Sequence, residues 1–534
     1  MKIYIYKSFI VISFLILFSS CYNKQELELV NPGAITSSQY FKNEAEALQA
    51  TIGMYSQLHT QQLWMQFGII HESLADDVVC GDGNSENIAI DRFNLTSTNS
   101  YLNCWWIGCF EGIARINNAI DGISKVPGEK ISEETRKQMI AEGKFLRGYY
   151  YLILVSLYGD VPLYTTPIDV RIHEQLFPKR TPQAEVYAQI MKDFSEAQID
   201  LPLKWDSKYL GRATKGAAMA YLGKANLYFA CQLKNFDNNP AEAKNYFTKA
   251  AVEFKSLMDA GTYQLDPIFL NNFTDNGDNN IESIWELQYS LKVGAGTWGE
   301  GGQSSTRPWL IGTPANGGWR NVIPNRYALR QLQAYEPNDS IRILGDIWGA
   351  PGSMYDNTLK YYQKLGLSSD AKIAPIDWGL RKYQFIPKDG NLFGSWSGNN
   401  MNFKFMRYAD VLLMYAEAIN EANDGPNANA YSAVNEVRNR AKLSPLPTGL
   451  SKTDFFNRIV KERQIEFLGE DMRWQDIRRW KIAAEVFNTL NAFNATAEGD
   501  GTIVNFDPLV HYYMPVPQNE RDLNANLTQN YGYN

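Results

Sequence analysis

Three glutamates, Glu462, Glu466 and Glu470, recur every fourth residue, a spacing that sets their carboxylates along one face of a helix. Paired carboxylates about 5–10 Å apart are what sugar hydrolysis requires. The neighbours argue against that chemistry. Arg463, Arg473 and Arg478 lie close by, and a guanidinium beside a carboxylate keeps it ionised, whereas a general acid needs a raised pKa. The four histidines, His59, His71, His173 and His511, are scattered, and no G-x-S-x-G, H-E-x-x-H or phosphate-binding glycine loop occurs. The chain therefore reads as no enzyme, and a tethered glycoside hydrolase ranks behind binding. Cys80, Cys104, Cys109 and Cys231 lack C-x-x-C spacing and nearby histidines, so zinc is not expected. Cys104 and Cys109 admit either a disulfide or two free thiols, and the tendency of free cysteine towards the core favours thiols. No cofactor is expected. The acidic stretch 275–280 offers oxygen ligands for a structural calcium ion without any fixed calcium-loop spacing.

Binding chemistry is better represented. From Trp298 to Trp319 (WGEGGQSSTRPWLIGTPANGGW) three tryptophans stand among six glycines, with Arg307, Asn316 and several hydroxyls. A pyranose ring stacks its C–H face on a flat aromatic and pairs its hydroxyls with Asn, Asp, Gln or Arg side chains, so this mixture suits a sugar. Trp298, Trp309 and Trp319 are candidate stacking residues, although loop tryptophans also serve as plugs that hold long loops to the body. Arg307 and Asn316 are candidate polar contacts, although such residues also cap turns. A second source is the stretch 72–103, where Asp76, Asp77 and the run GDGNSEN precede Trp105 and Trp106. Adjacent helical residues face different directions, so one of these two tryptophans is expected in the core and Trp105 is the ligand candidate. Residues 282–289 (ESIWELQY) read as a short strand that buries Trp285 and leaves Tyr289 at the rim.

The elements that must carry these loops are helical. Residues 44–58 place Ala47, Leu48, Ile52, Tyr55 and Leu58 on one face, and 101–123 repeat the pattern. A long helix is predicted over 133–158, apolar on most sides and stopped by Gly159-Asp160-Val161-Pro162. Thr181 with Pro182 is the expected start of a helix running to Leu201. Helices over 214–233 and 239–260 form an antiparallel pair, the first rich in small residues such as Ala217, Ala218 and Gly223. The fold class is all-α, a tetratricopeptide-like superhelix of helix pairs without a strict 34-residue period, with long irregular loops and minor β-hairpins. Helices return at 405–420, 428–442 and 452–468. The expected organisation is an amino-terminal helical region over 39–265, an irregular, loop-rich ligand region over 266–402, and a helical region over 403–534 packed with the first as one body.

Residues 1–20 read as a secretory signal, with Lys2 and Lys7 before an apolar run too short to span a bilayer. Cys21 follows Ser19-Ser20, so cleavage before it would free a lipidation site. Phe18 is too bulky for an ordinary cleavage motif. Residues 21–38 are a polar tether. Losing Lys2 and Lys7 moves the net charge from −7 to about −9, which argues against nucleic acid or anionic lipid as ligand. With 45% hydrophobic and 13% aromatic residues over 534 positions, the body buries a large core.

The late block resembles the SusD/RagB family of outer-membrane nutrient-binding lipoproteins. The resemblance rests on residues 406–418 (MRYADVLLMYAEA), 434–441 (VNEVRNRA), 461–467 (KERQIEF) and 473–480 (RWQDIRRW). It is supported by 141–150 (AEGKFLRGYY), 157–163 (LYGDVPL), 514–517 (MPVP) and 529–533 (QNYGY). It implies a surface-exposed, lipid-anchored outer-membrane protein that caps a SusC-type TonB-dependent transporter and delivers oligosaccharide to it, or peptide in the RagB branch. It also implies a ligand arc built on loops from the early and middle regions just described. The charged motif residues Arg407, Asp410, Glu417, Arg438, Glu462, Arg463, Glu466, Arg473, Asp476 and Arg479 are expected to pair with one another and lock helices together rather than touch ligand.

Overall fold

Capping chemistry sets most helix starts in this computed structural model, which describes residues 40–60, 63, 71–81, 83–290, 305, 307–312, 319, 321–348, 379–383 and 400–533. Cys21, the signal and the tether lie outside these residues. Helix α1 is Glu44–Ser56, with the Asn43 side chain accepting from the Glu46 N–H. Helix α2 is Ser100–Lys125, capped by Asn99, and α3 is Glu133–Tyr158, capped by Ser132 and closed by Gly159 at a φ of 76°. Helix α4 is Gln183–Asp200, α5 is Lys215–Asn235 behind a Thr214 cap, and α6 is Pro240–Asp259 behind Asn239. An Asx or hydroxyl oxygen that satisfies an orphan N–H fixes the first turn of each capped helix. Thr181 does not do this for α4. It bridges Val161 instead, so the turn after α3 is tied to the start of α4 by backbone hydrogen bonds of 2.9 and 3.2 Å.

Helices α2 to α6 each pack on the next, the stacking expected of helix pairs. The small stripe on α5 lets α6 approach closely: a Cβ on Gly223 would lie 2.5 Å from the Phe254 ring of α6. The centre is aromatic, with Trp285 packed on Phe145, Tyr149 and Phe405 at ring separations of 4.8, 4.9 and 4.7 Å.

The middle of the chain is more regular than its composition suggests. Helix α7 is Arg307–Ile311, α8 is Arg326–Tyr335 behind an Asn325 cap, and α9 is Ser340–Asp346 behind Asp339. Tyr327, Leu329 and Leu332 bury one side of α8, a short amphipathic pattern hidden among polar residues. The strands are β1 Val78–Cys80, β2 Ser283–Leu287, β3 Val322–Pro324, β4 Ile347–Trp348, β5 Gly379–Leu380 and β6 Phe403–Arg407. They pair antiparallel as β1 with β3, β2 with β6 and β4 with β5. The expected helix from 405 begins only at Tyr408, because Phe405, Met406 and Arg407 complete β6.

Helix α10 is Tyr408–Ala422, α11 Ala428–Arg440, α12 Lys452–Glu466, α13 Arg473–Arg479 and α14 Ala483–Asn494. Helix α10 packs on α6, α11 and α12, so the late block closes onto the early array. The predicted ion pairs form there. Arg407, 2% exposed, donates from Nη1 to Glu282 at 2.8 Å and Glu466 at 2.6 Å, and from Nε to Glu470 at 2.7 Å. Arg463 joins Asp410 and Asp476, each at 2.7 Å, and Arg479 holds Glu417 and Asp476. Arg342 donates to Glu462 at 2.7 Å, and Arg438 meets the same carboxylate at 2.9 Å. Burial opposes ionisation of Glu466, but Arg440, Arg407 and Arg342 overcome it and hold its carboxyl well below the usual range. That is the reverse of what a general acid needs. Cys80, Cys104, Cys109 and Cys231 are free thiols, which settles the choice left open for Cys104 and Cys109.

Candidate functional site

Strand pairing brings together the stretches that border the two regions the sequence marks for ligand. Strand β1 follows Asp76 and Asp77, and β3 follows the segment 298–319; they pair Val78 with Pro324, Val79 with Ile323 and Cys80 with Val322. The Gly81 N–H donates to the Asn321 carbonyl at 3.1 Å, and the Asn321 N–H to the Leu310 carbonyl at 2.7 Å, which ties α7 to the pair. Asn325 completes the joint by donating from its side chain to the carbonyls of Asp76 at 2.7 Å and Val78 at 3.2 Å. Its side-chain oxygen also caps α8 by accepting from the Ala328 N–H. The early and middle segments thus share one frame.

Buried charges fasten that frame from beneath. Arg307, at the start of α7, donates to both Asp471 carboxylate oxygens at 2.9 and 3.0 Å and to the Gly469 carbonyl at 2.8 Å. Its guanidinium lies over the Phe403 ring at 4.5 Å. Glu72 approaches Arg307 to 3.9 Å and accepts from the Asp471 N–H at 2.6 Å. Arg473 donates to both oxygens of Asp76, at 2.6 and 3.0 Å. Asp77 is 1% exposed, and its carboxylate has no hydrogen-bond partner among the described residues. Burial first, then the neighbouring charge of Asp76, pushes its pKa up to about 7 against the pull of Arg473. Burial likewise raises Glu72 and Asp471, with the charge of Asp471 adding to the rise at Glu72 and that of Glu470 to the rise at Asp471.

These positions correct part of the candidate ligand set. Asp76, Asp77 and Arg307 lie in the interior, where the first and last are spent on Arg473 and Asp471; they position the loops and are not available to a sugar. Trp105 is fully buried with its ring 4.4 Å from that of His71, and Trp106 is buried as well, so the helix uses both as core. Tyr289 is 9% exposed, with its ring 5.4 Å from His59 and its N–H donated to Asn402 at 2.8 Å, so it lines the interior edge rather than the rim. Trp319 is half-buried against the core. Trp298 and Asn316 lie outside the described residues, as does the side chain of Trp309. Sequence reasoning missed Glu72, Asn325 and Asp471 as fasteners. Asn325 carried a visible helix-start signal, whereas Glu72 and Asp471 find each other across almost 400 residues without a local cue.

Among the described residues no group of three or more His, Cys, Asp or Glu side chains comes together to hold a metal. In the acidic loop, Asp278 accepts from the Asn402 N–H at 3.0 Å, and nearby Asp266 accepts from the Ile268 N–H and from Asn271 and Asn280. The space beside Lys224 and Tyr149 measures about 50 Å³, far below the roughly 300 Å³ of small-molecule pockets.

A stacked helical array thus carries a frame of strand pairs fastened from below by buried ionic groups. The chain belongs to the SusD family, a family of glycan-binding proteins rather than enzymes. The SusD family model matches residues 281–533, and a SusD-like model described as starch-binding associating with outer membrane matches 27–227. SusD-like protein P2 of Formosa agariphila is 26% identical over 537 residues, covering 97% of this chain and 98% of its own. A SusD homologue from Bacteroides thetaiotaomicron superposes with a TM-score of 0.76 at 24% identity, covering 93% of this chain and 98% of the other. Surface glycan-binding protein A from the same organism, solved in complex with laminarihexaose, gives 0.73 at 22% identity, covering 92% of this chain and all of the other.

Proposed function

We propose that this protein is a lipid-anchored receptor at the cell surface that captures an oligosaccharide on its loop platform and passes it to a SusC-like TonB-dependent transporter in the outer membrane. The observation that supports the reading is the β1–β3 pair, which joins the stretches bordering two regions whose sequences are rich in aromatic, amide and hydroxyl groups. Sugar recognition needs such a frame, because aromatic faces and hydrogen-bonding groups must be presented together at fixed spacing. The laminarihexaose complex of a structural neighbour supports a glycan as the ligand class. The stacked helices give the transporter a broad surface that local changes deform little.

Screening the protein against glycan and peptide arrays tests the ligand class. Binding to a neutral glycan series is the expected result, and selective capture of peptides instead would replace oligosaccharide by peptide in the same architecture. Cys21 supplies the anchor in this reading. Cys21→Ala is expected to move the protein from the membrane fraction to the soluble fraction while leaving its ligand affinity in solution intact, and a variant still held at the membrane would contradict the anchor.

A further inference from the structure

A groove of about 440 Å³ lies on the helical side of the molecule, between α2, the segment after α3 and the carboxy-terminal helix Gln518–Leu523. None of its lining residues belongs to β1, β3 or α7. Its volume is within the range of small-molecule pockets, about 300–1,000 Å³. Phe110 and Ile113 of α2, Tyr164 and Ile168 of the segment after α3, and Glu520 and Leu523 of the carboxy-terminal helix line it.

The lining segments are held by bonds spent on the body. Asn117 donates to the carbonyls of Tyr164 at 3.1 Å and Thr166 at 3.2 Å, and Arg147 donates to Asn117 at 2.9 Å and to the Thr165 carbonyl at 2.8 Å. Arg147 is itself fixed by Asp193 at 2.7 and 2.9 Å. From the carboxy-terminal segment Asn524 donates to the Pro178 carbonyl at 2.8 Å and Asn526 to the Phe177 carbonyl at 2.7 Å. The groove is therefore preformed, and a ligand entering it loses little free energy to ordering the protein.

Its free chemistry is specific. The half-buried Glu520 carboxylate lines the groove together with the Trp106 indole and has lone pairs to spare. Asn118 uses its amide N–H₂ on the Ala114 carbonyl and keeps its amide oxygen. The Tyr164 ring meets Phe110 edge-on at 6.1 Å. No Lys or Arg lines the groove, which disfavours phosphate or carboxylate ligands. A plain hydrocarbon chain would bury Glu520 and Asn118 without partners, at a cost of about 2–7 kcal/mol for each neutral polar group and more for a charge. A neutral ring with an apolar face and several hydroxyl donors answers both the apolar lining and the acceptors.

We infer that this groove is a second carbohydrate site, taking one or two neutral sugar rings of the same glycan that the loop platform receives. The inference rests on the glycan reading above. A long chain held at two places on one body gains from effective concentration, so the second site raises affinity for polysaccharide more than for short oligosaccharide.

The full chain in detergent is titrated with laminarihexaose, maltohexaose, xylohexaose and mannohexaose, with stoichiometry read by calorimetry and location by hydrogen exchange. The variants are Ile168→Trp, which fills the groove from a partly exposed position; Glu520→Ala, which removes an acceptor; and the triple loop variant Trp298→Ala, Trp309→Ala, Trp319→Ala. For a hexasaccharide that binds, the expected result is two sites per chain with protection over 160–178 and 518–527. Ile168→Trp removes that protection and leaves the other site, Glu520→Ala weakens the groove by about ten-fold, and the triple variant leaves groove protection in place. One site per chain, with no protection at the groove, overturns this inference and leaves the glycan reading standing. Groove protection by peptides rather than sugars also overturns it. Absence of any glycan binding in the wild-type chain overturns both.

Discussion

Two buried ionic clusters in this protein respond to burial in opposite ways. Around Arg407, the carboxylates of Glu282, Glu466 and Glu470 face Arg407, Arg440, Arg342 and Lys382, and the arginines hold Glu282 and Glu466 ionised below their ordinary range. Beneath the loop frame, the carboxylates of Glu72, Asp76, Asp77 and Asp471 face Arg307 and Arg473, and Glu72, Asp77 and Asp471 are raised. Desolvation disfavours charge in both places, so the cations beside each carboxylate decide the sign; at the edge of the first cluster Asp346, which has only Lys382 against its burial, is raised to about 8. The first cluster locks helices α9, α11 and α12 to the β2–β6 pair. The second fastens the early and middle segments and carries more acid than its arginines neutralise.

The comparison can be broken first at its strong end. Arg407→Ala leaves three carboxylates buried without their shared cation and is expected to cost about 3–5 kcal/mol of stability, read as a lower denaturant midpoint. A loss below 1 kcal/mol would mean that Arg440 and Arg342 suffice and that the cluster is not a lock.

A smaller effect of opposite sign is expected at Asp77. Its folded pKa of about 7 stands above its ordinary value of 3.8, so the folded state binds a proton that the unfolded chain has released. The stabilisation from that proton is complete below about pH 3.8 and is lost as pH rises through 7. Asp77→Asn mimics the protonated form and is expected to stabilise the protein by about 1–3 kcal/mol at pH 8, with the gain vanishing near pH 4. Unfolding curves at the two pH values check this, and a variant that destabilises equally at both would show that Asp77 is held as a charge.

The helices were legible because their signals are local. Ser132 and Gly159 bracket α3, and Thr214 and Asn239 stand where their caps are needed. Local signals also misled: Phe405, Met406 and Arg407 continue the apolar pattern of α10 but are claimed by β2 across the molecule. The site was legible as a region and not as a residue set. A polar residue beside a glycine-rich stretch looks the same whether its partner is a sugar or, as for Arg307, Asp471 lying 164 positions away. Trp105 was misjudged for a related reason, since a helix gripped on two sides buries both members of an adjacent pair.

The most direct test of the glycan account is affinity for the best neutral glycan from an array, measured by calorimetry in the wild-type chain and in the triple variant Trp298→Ala, Trp309→Ala, Trp319→Ala. Stacking on a loop platform expects short-oligosaccharide binding at that platform to fall at least a hundred-fold with the fold intact by circular dichroism, since each lost aromatic face is worth about 0.5–1.5 kcal/mol beyond its buried area. Unchanged affinity and unchanged stoichiometry in the triple variant would contradict it.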